Sequence, residues 1–201
     1  LPDTISLALE NAASLNPYDM QAASNLQAFR LLYEPLFSYD ENMRVIPVLA
    51  ESYSVSNGGL TAVVRIKDGI KCHDGSNLTG LDVLQSVNQL LTKQTPYSYN
   101  VIQRAELKDR RTVEFTFTKP QMNAKEQLMF PVIKTDGNSV FGTGAYKYVN
   151  KENTDTFVFS QFEEYHGEKP YIKNIKMINS PDFESVGRLF EIGETDILTS
   201  D

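Results

Sequence analysis

The amino-acid sequence predicts a fold that mixes α-helices and β-strands. Apolar and polar residues alternate in several short segments, and this period of two is typical of strands with one buried face. Other segments carry apolar residues three and four positions apart, as on the buried side of a helix. Turn formers such as Asn57-Gly58 separate the alternating segments and predict hairpins. No Gly/Ser-rich linker divides the chain, so composition alone predicts one mixed domain.

The first part of the chain is predicted to form a strand, a helix and a group of short strands. Apolar residues alternate with polar or small ones over residues 4–10, which predicts a strand. Helical spacing over residues 20–33 predicts a helix that ends before Pro35, because proline lacks an amide hydrogen and its ring clashes with the preceding turn. Short strands are predicted over residues 36–67, with turns at residues 40–42 and 57–59.

The most specific local pattern runs from residue 63 to residue 91. It begins with the end of a strand and a tight turn at Asp68-Gly69. Thr79 and Asp82 have the spacing of a capping box with a shorter acid, so a helix should begin at Gly80. The apolar stripe that buries one side of this helix is formed by Leu84, Val87 and Leu91. We therefore predict a strand, a turn and an amphipathic helix.

Further elements are predicted in the second half of the chain. Alternating apolar residues predict a hairpin of residues 101–108 and 112–118. A short helix is expected over residues 121–130, after Pro120 and before Pro131. The remaining predictions are a hairpin of 146–149 with 156–162, a strand over 172–178, a helix opened by Pro181-Asp182 and capped by Gly193, and a strand that begins at 196–198. A strand, a helix and a strand at this spacing suggest a crossover unit.

Composition excludes several classes of protein. The chain has 201 residues, of which 41% are hydrophobic, and can bury a sizeable core. Its formal net charge of −7 disfavours a nucleic-acid partner, because nucleic-acid binding needs a clustered basic surface. Cys72 is the only cysteine, so no intrachain disulfide can form. No apolar run is long enough to cross a membrane as a helix.

Candidate catalytic and metal-binding groups are few. Cys72-His73-Asp74 contains three types of metal ligand, but adjacent positions cannot all converge on one ion, and no second Cys or His pattern completes a site. The acidic cluster at residues 163–168 is better explained as a solvated turn. Gly142-Thr143-Gly144 lacks the residues of phosphate-binding and dinucleotide-binding loops, and no G-x-S-x-G motif is present. We therefore predict no metal, no cofactor and no enzymatic activity.

One longer motif, within residues 65–83, resembles a known protein family. Its fixed positions are Arg65, Gly69, His73, Asp74, Gly75, Thr79, Asp82 and Val83. This set is similar to the signature region of the family 5 extracellular solute-binding proteins. These are the peptide-binding and nickel-binding receptors of ABC importers.

Four more stretches resemble segments of the same family and occur in the same order. They are Leu15-Asn16-Pro17, then Tyr33-Glu34-Pro35-Leu36 with residues 46–52, then Gly142-Thr143-Gly144-Ala145-Tyr146, and finally residues 164–170. Two positions depart from the family pattern, since Ala145 stands in place of the usual proline and His166 in place of tryptophan. The resemblance covers almost the whole chain.

The resemblance implies a lobe of the periplasmic-binding-protein type II fold with a smaller inserted α+β domain. Residues 1–43 and 139–201 would form the first lobe, and residues 44–138 would form the inserted domain. Family members continue well past this length into a second lobe. We therefore expect this sequence to be the N-terminal portion of a longer receptor, with the second lobe missing.

The resemblance also implies a function and a location. Such receptors bind a small molecule or peptide by closure of two lobes and deliver it to an ABC permease in the membrane. They work in the periplasm or on the extracellular face of the cytoplasmic membrane, and we expect a lipid anchor outside this sequence. Oligopeptides are the favoured ligand and a nickel chelate is the alternative. A solute-sensing domain of a regulator, with the same fold, is a second hypothesis.

Five residues are candidates for ligand contact. In the family, the loop after the Leu-Asn-Pro segment and the first turn of the following helix face the cleft, which here implies Tyr18, Met20 and Asn25. Tyr97 and Tyr99, just past the helix of the inserted domain, are further candidates. Ligand clefts combine aromatic walls with a few polar groups that fix the orientation of the ligand. The alternative for each residue is an exposed or core-packing side chain without ligand contact.

Overall fold

The chain divides along its length into two compact units. A computed structural model describes residues 2–12, 14–20, 22–93 and 101–198. Unit 1 comprises Leu1–Leu32 and Gly144–Asp201, and unit 2 comprises Tyr33–Thr143. Unit 2 is therefore inserted into unit 1 in sequence. The domain boundaries that we expected, after residues 43 and 138, both fall inside unit 2.

Short strands make up most of the regular structure. In chain order they are β1 (Thr4–Glu10), β2 (Phe37–Tyr39), β3 (Val45–Pro47), β4 (Ala50–Ser56), β5 (Thr61–Ile66), β6 (Ile102–Asp109), β7 (Thr112–Phe117), β8 (Lys134–Asp136), β9 (Ser139–Phe141), β10 (Tyr146–Lys151), β11 (Thr156–Gln161) and β12 (Asn174–Ser180). The α-helices are α1 (Leu26–Phe29), α2 (Gly80–Thr92) and α3 (Phe183–Glu191). Single 3-10 turns lie at Ala23–Asn25, Asn57–Gly59 and Glu126–Leu128.

Unit 1 is built on a four-stranded sheet with the order β1-β12-β11-β10. β1 runs parallel to β12, from the pair of Thr4 and Asn174 to the pair of Glu10 and Ser180. The other two pairings are antiparallel. The buried side chains that form the core on this sheet and α3 include Leu7, Leu9, Phe159, Ile175, Met177 and Val186.

The crossover predicted at the end of the chain is confirmed. Asp182 caps α3, because its carboxylate accepts a hydrogen bond from the Ser185 amide at 2.8 Å. Beyond the helix, Ile197 forms a parallel bridge with Leu7 on β1. The predicted last strand is thus present in the described residues as a single bridge, and it runs in the same direction as β1 and β12.

Unit 2 is built on an antiparallel sheet with the order β4-β5-β7-β6. One face is apolar and buried, as the alternating pattern predicted. Its side chains pack with α2 and with the segment that leads to β8, and they include Ala62, Val64, Ile66, Val113, Phe115 and Phe117. The rings of Phe115 and Phe130 lie 6.4 Å apart between centroids. Both predicted hairpins of this sheet, β4–β5 and β6–β7, are confirmed.

The first turn of α2 has the predicted cap. The Asp82 carboxylate accepts hydrogen bonds from both the amide and the hydroxyl of Thr79, each at 2.7 Å. The amide of Gly80 donates to the carbonyl of Arg110 at 2.7 Å. A Cβ atom on Gly80 would lie 2.6 Å from a methyl group of Leu107. Glycine at the first position of the helix therefore favours close packing on the β6–β7 hairpin, because a larger residue would require the Leu107 side chain to move.

The helix predicted over residues 20–33 is much shorter in the structure. Only the 3-10 turn at Ala23–Asn25 and α1 are helical. After α1 the carbonyls of Leu31 and Leu32 accept hydrogen bonds from the amides of Tyr146 and Gly144, at 3.1 and 3.0 Å. After α1 the chain continues as turns, in which the amides of Leu31 and Leu32 donate to the carbonyls of Ala28 and Phe29 at 3.1 and 3.0 Å. The buried Leu32 thus lies beyond the end of the α-helix.

The helix predicted over residues 121–130 is also wrong in extent. The amide of Gln121 donates to the carbonyl of Gly59 at 2.9 Å, and residues 122–125 form turns. Only the 3-10 turn at Glu126–Leu128 remains. The β8–β9 hairpin that follows was not predicted from the sequence.

Two glycines of unit 1 provide a test of its packing. A Cβ atom on Gly144 would collide with the carbonyl of Leu31 and lie 2.6 Å from the carbonyl carbon of Leu32, whereas a Cβ atom on Gly187 in α3 would meet nothing within 4 Å. Gly144→Ala should therefore lower the free energy of unfolding by roughly 1–3 kcal/mol. The control Gly187→Ala should raise it by about 0.5–1 kcal/mol. Urea denaturation measures both, and equal effects would contradict this packing.

Candidate functional site

The candidate site of unit 1 is the loop that follows β1, of which the structure describes residues 11–12, 14–20 and 22–25; we call these residues the β1 loop. Since β1 and β12 are parallel, their carboxyl ends at Glu10 and Ser180 lie at the same edge of the sheet. Loops at the carboxyl ends of strands commonly form the ligand sites of open α/β sheets. The β1 loop leaves from this edge and returns to it through the 3-10 turn and α1.

The start of the β1 loop is fixed to β12. The amide of Asn11 donates to the carbonyl of Ser180 at 2.6 Å, and the amide of Ala12 donates to the side-chain oxygen of Asn179 at 2.7 Å. Asn11 has a positive φ of 45°, a conformation that asparagine adopts more readily than most residues. The chain therefore turns away from the sheet immediately after the last residue of β1.

The middle of the β1 loop is an asparagine-centred turn. The side-chain oxygen of Asn16 accepts a hydrogen bond from the amide of Tyr18, and its carbonyl accepts one from the amide of Asp19, both at 3.0 Å. The hydroxyl of Ser14 accepts from the Asn16 amide at 3.0 Å and donates to the Asp19 carboxylate at 3.1 Å. This network explains why an Asn-Pro pair stands at this point.

The end of the β1 loop is held by Asn25. Its side-chain nitrogen donates to the carbonyl of Glu10 at 2.7 Å, and its side-chain oxygen accepts from the amide of Glu10 at 2.8 Å. The hydroxyl of Ser24 also donates to the Glu10 carboxylate at 2.8 Å. Asn25 thus binds the last residue of β1 as a neighbouring strand would, and the loop is closed at both ends.

The predicted ligand-contact residues lie in different surroundings. Tyr18, Met20 and Asn25 belong to the β1 loop and are 0%, 3% and 1% exposed. They shape the loop from inside unit 1, while the carboxylate of Asp19 is on the exposed side. Tyr97 and Tyr99 lie outside the described residues. The structure therefore brings three of the five together, and ligand contact stays a prediction for all five.

The Cys72-His73-Asp74 segment has a structural role in unit 2. Burial, followed by the nearby carboxylates of Asp82 and Asp74, raises the pKa of the Cys72 thiol to about 12, so the thiol is protonated at neutral pH and is not a nucleophile. The amide of His73 donates to the carbonyl of Gly142 at 2.9 Å, and the Gly142 amide donates to His73 Nδ1 at 3.3 Å. The predicted turn is thereby confirmed.

Neither cluster of potential metal ligands forms a metal site in the described residues. No group of three His, Cys, Asp or Glu side chains there is arranged to hold an ion. In the acidic turn at residues 163–168, Lys169 binds Glu163 at 2.5 Å, and the rings of Tyr165 and His166 lie 5.1 Å apart between centroids. In the part of the chain that the structure covers, no helix has both the length and the hydropathy of a membrane span.

A buried carboxylate that the sequence analysis did not single out joins two family motifs. Glu34 accepts a hydrogen bond from the Thr143 hydroxyl at 2.8 Å, and its backbone carbonyl accepts one from the Val132 amide at 2.9 Å. Both side chains are buried in unit 2. A glutamate inside an apolar Tyr-Glu-Pro-Leu segment was the available signal, because a buried carboxylate requires a partner.

Asp74 connects its turn to β8 through Lys134. The Lys134 ammonium lies 2.5 Å from the Asp74 carboxylate and also contacts the Ser76 hydroxyl. Partial burial alone would raise the pKa of Asp74, but hydrogen bonds from Lys134 and Ser76 outweigh it and hold this pKa below its ordinary value. The contact with Asp74 in turn raises the pKa of Lys134.

This ion pair predicts a pH dependence of stability. Because the folded pKa of Asp74 lies below the ordinary value of 3.8, the pair should stabilise unit 2 above that pH and lose its effect as the pH falls further. Asp74→Asn should lower the free energy of unfolding at neutral pH by roughly 1 kcal/mol or less. Urea denaturation over a pH series should show this difference shrinking in acid. Glu163→Gln, which removes a charge from an exposed ion pair, is the control and should change the free energy of unfolding little. A difference between Asp74→Asn and the unmodified protein that does not depend on pH would contradict the assignment.

Comparison with known families and proteins agrees with the resemblance. A model of the bacterial extracellular solute-binding proteins, family 5 middle region, matches residues 44–201. Among curated relatives, the glutathione-binding protein GsiB of Pectobacterium atrosepticum is 29% identical over 168 residues, which cover 76% of this chain and 33% of the relative. GsiB of Shigella flexneri serotype 5b is 27% identical over 179 residues, which cover 81% of this chain and 35% of the relative. The chain thus spans about a third of the length of these relatives.

Solved structures share the fold. NikZ from Campylobacter jejuni, in complex with Ni(L-His), superposes with a TM-score of 0.76 at 23% identity, over 98% of this chain and 43% of that one. DppA from Helicobacter pylori, in complex with the peptide STSA, superposes with a TM-score of 0.76 at 18% identity, over 96% of this chain and 45% of that one. AppA from Bacillus subtilis, in complex with a nonapeptide, superposes with a TM-score of 0.72 at 21% identity, over 96% of this chain and 43% of that one. The predicted mixed α/β, periplasmic-binding-protein type II-like fold is therefore confirmed, for the part of it that this chain covers.

The family match extends over most of the chain and includes the whole of the motif at residues 65–83. The chain belongs to the bacterial extracellular solute-binding proteins, family 5.

Proposed function

We propose that the full-length protein is the solute-binding receptor of an ABC importer and that its solute is a short peptide. The observation that carries this proposal is the family match over residues 44–201. The curated relatives are named for glutathione, itself a small peptide, and two of the similar structures hold peptides. Membership in a family of binding receptors also supports a role without enzymatic activity.

The β1 loop supports binding by a preorganised surface. Hydrogen bonds to Ser180, Asn179 and Glu10 hold both ends of the loop in unit 1. A loop that is already ordered loses little conformational entropy when a ligand arrives, so more of the contact energy remains as affinity. In the proposed mechanism, closure of a second lobe over the ligand is driven by the ligand's higher affinity for the closed state.

We assign two kinds of role within the β1 loop. Tyr18, Met20 and Asn25 would define the shape of the ligand wall from beneath, since their side chains are buried. The exposed carboxylate of Asp19, which accepts a hydrogen bond from Ser14, has the charge that would attract the ammonium group of a peptide. Tyr97 and Tyr99 would supply aromatic surface, as predicted from the sequence.

A nickel chelate is the second candidate ligand. It is favoured by the similarity to NikZ, whose structure contains Ni(L-His). In either case we propose that the receptor works outside the cytoplasmic membrane, held by a lipid anchor, and docks on a membrane permease. The sensory domain of a regulator remains the alternative if no solute is bound.

Native mass spectrometry of the full-length protein, purified gently from its host, tests the proposed function. We expect a mixture of short peptides, glutathione included, to be released from the protein and identified. Nickel together with a small organic chelator would overturn the peptide assignment in favour of the metal branch. A protein that is consistently empty would favour the regulator.

A substitution at Asn25 tests the role of the β1 loop. Asn25→Ala would leave the partly buried amide and carbonyl of Glu10 without the two hydrogen bonds to Asn25 and should lower the free energy of unfolding by about 1–3 kcal/mol. In the full-length protein, peptide affinity measured by calorimetry should fall as the loop loses its closure. Asn42→Ala, in an exposed turn of unit 2, is the control. Weaker binding at unchanged stability would instead indicate that Asn25 contacts the ligand directly.

A further inference from the structure

The turn between β4 and β5 contains the only Asn-Gly pair in the sequence, Asn57-Gly58. In such a pair the backbone nitrogen of the glycine can reach the side-chain carbonyl carbon of the asparagine, because glycine has no side chain to obstruct the approach. Ring closure and hydrolysis then convert the asparagine without any enzyme. Whether a folded protein permits this depends on the exposure and the hydrogen bonds of the turn.

The turn presents Asn57 and Gly58 to solvent, while its last residue, Gly59, packs against residue Gln121. Both residues are exposed, while Gly59 is buried. The carbonyl of Gly59 accepts a hydrogen bond from the Gln121 amide at 2.9 Å, and a Cβ atom on Gly59 would lie 3.1 Å from that nitrogen. A Cβ atom on Gly58 would meet nothing within 4 Å. Water therefore has access to the reacting pair.

Of the atoms that would react in this turn, only the leaving nitrogen of the Asn57 side chain is engaged in a hydrogen bond in the described structure. Asn57 uses its backbone carbonyl to accept from Leu60 at 3.3 Å and its side-chain nitrogen to donate to the Thr61 hydroxyl at 3.0 Å. Within the described residues, its side-chain oxygen and the amide of Gly58 form no hydrogen bond. The nucleophile and the carbonyl that it attacks are both available.

In three other turns of the chain, the side-chain oxygens of the Asp or Asn residue already accept hydrogen bonds. In Asp68-Gly69 the glycine amide donates to the aspartate carboxylate at 3.1 Å. The Asp74 carboxylate, next to Gly75, is held by Lys134 and Ser76. The side-chain oxygen of Asn153 accepts from the amides of Asp155 and Thr156 at 2.9 and 2.8 Å. Asn57 is distinguished from these residues by the freedom of its carbonyl as well as by its sequence.

We propose that Asn57 is a deamidation site of the native protein. The deprotonated backbone nitrogen of Gly58 attacks Cγ of Asn57 and forms a new C–N bond. The Cγ–Nδ2 bond then breaks, and the leaving nitrogen takes a proton from water and departs as ammonia. Water then opens the cyclic imide at either carbonyl and gives aspartate or isoaspartate. The net change is hydrolysis of one amide to an acid and ammonia, with no oxidant or cofactor.

The two products differ in their effect on the hairpin. Asn57 has a positive φ of 52°, which aspartate also tolerates, so the aspartyl product fits the turn and adds one negative charge. Isoaspartate inserts a methylene group into the main chain between β4 and β5. That insertion is incompatible with the pairing of Ser56 with Thr61, which closes the hairpin.

The test is incubation of the folded full-length protein in mildly alkaline buffer, followed by isoelectric focusing and peptide mapping by mass spectrometry. We expect an acidic species that accumulates with time. Peptide mapping should locate at Asn57 the small mass gain that results when NH2 is replaced by OH. This conversion should be several-fold faster at Asn57 than at any other asparagine. Asn57→Gln should abolish this species, because the longer side chain closes its ring far more slowly. Asn57→Asp provides the charge standard with which the aspartyl product should comigrate.

A synthetic peptide of residues 50–66 keeps the test decisive. It contains the same Asn-Gly pair without the fold and should convert under the same conditions, which establishes the chemistry. If the peptide converts and the folded protein does not, the turn protects Asn57 and the proposal is overturned. An acidic species that maps to another residue, such as Asn138 in its exposed turn, overturns it as well.

Discussion

The parallel pairing of β1 with β12 is the constraint on which the rest of the structure depends. It joins strands from opposite ends of the chain over the full length of both, from Thr4 with Asn174 to Glu10 with Ser180. Between them in sequence, the chain leaves the sheet after β1 and returns to it at β10, and unit 2 is inserted within this interval. A parallel pair also places both carboxyl ends at one edge, and that edge positions the β1 loop.

The β1 loop illustrates how such an edge becomes a binding surface. Its backbone groups cannot all pair within the sheet, and side chains take over that task. Asn179 receives the loop at its start and Asn25 closes it at its end, each with a carboxamide that substitutes for a peptide group. Because Asn25 is buried and both carboxamides are hydrogen-bonded, the described part of the loop has a defined shape before any ligand arrives.

Much of the fold could be predicted from local sequence. β1, the hairpins of unit 2 and the cap of α2 depend on residues close together in the chain, such as Thr79 and Asp82. The helices predicted over residues 20–33 and 121–130 are shorter in the structure, and both segments form backbone hydrogen bonds to distant parts of the chain. Tyr146 and Gly144 bind the carbonyls of Leu31 and Leu32, and Gly59 binds the amide of Gln121. Part of the candidate site could also be predicted from the sequence, since Tyr18, Met20 and Asn25 all belong to the loop after β1. The bonds from Asn25 to Glu10 and from Glu34 to Thr143 had no local pattern to reveal them.

The sequence by itself determined the alternation of each strand, the start of α2, the position of the turns and the motifs that mark the family, because these features depend on neighbours within a few residues. The tertiary structure alone decided where two helical patterns give way to other backbone geometry. It also decided which carboxamides close the β1 loop, and that the Cys72 thiol is buried and protonated. Those outcomes depend on contacts between residues far apart in the chain, which patterns of neighbouring residues do not reveal.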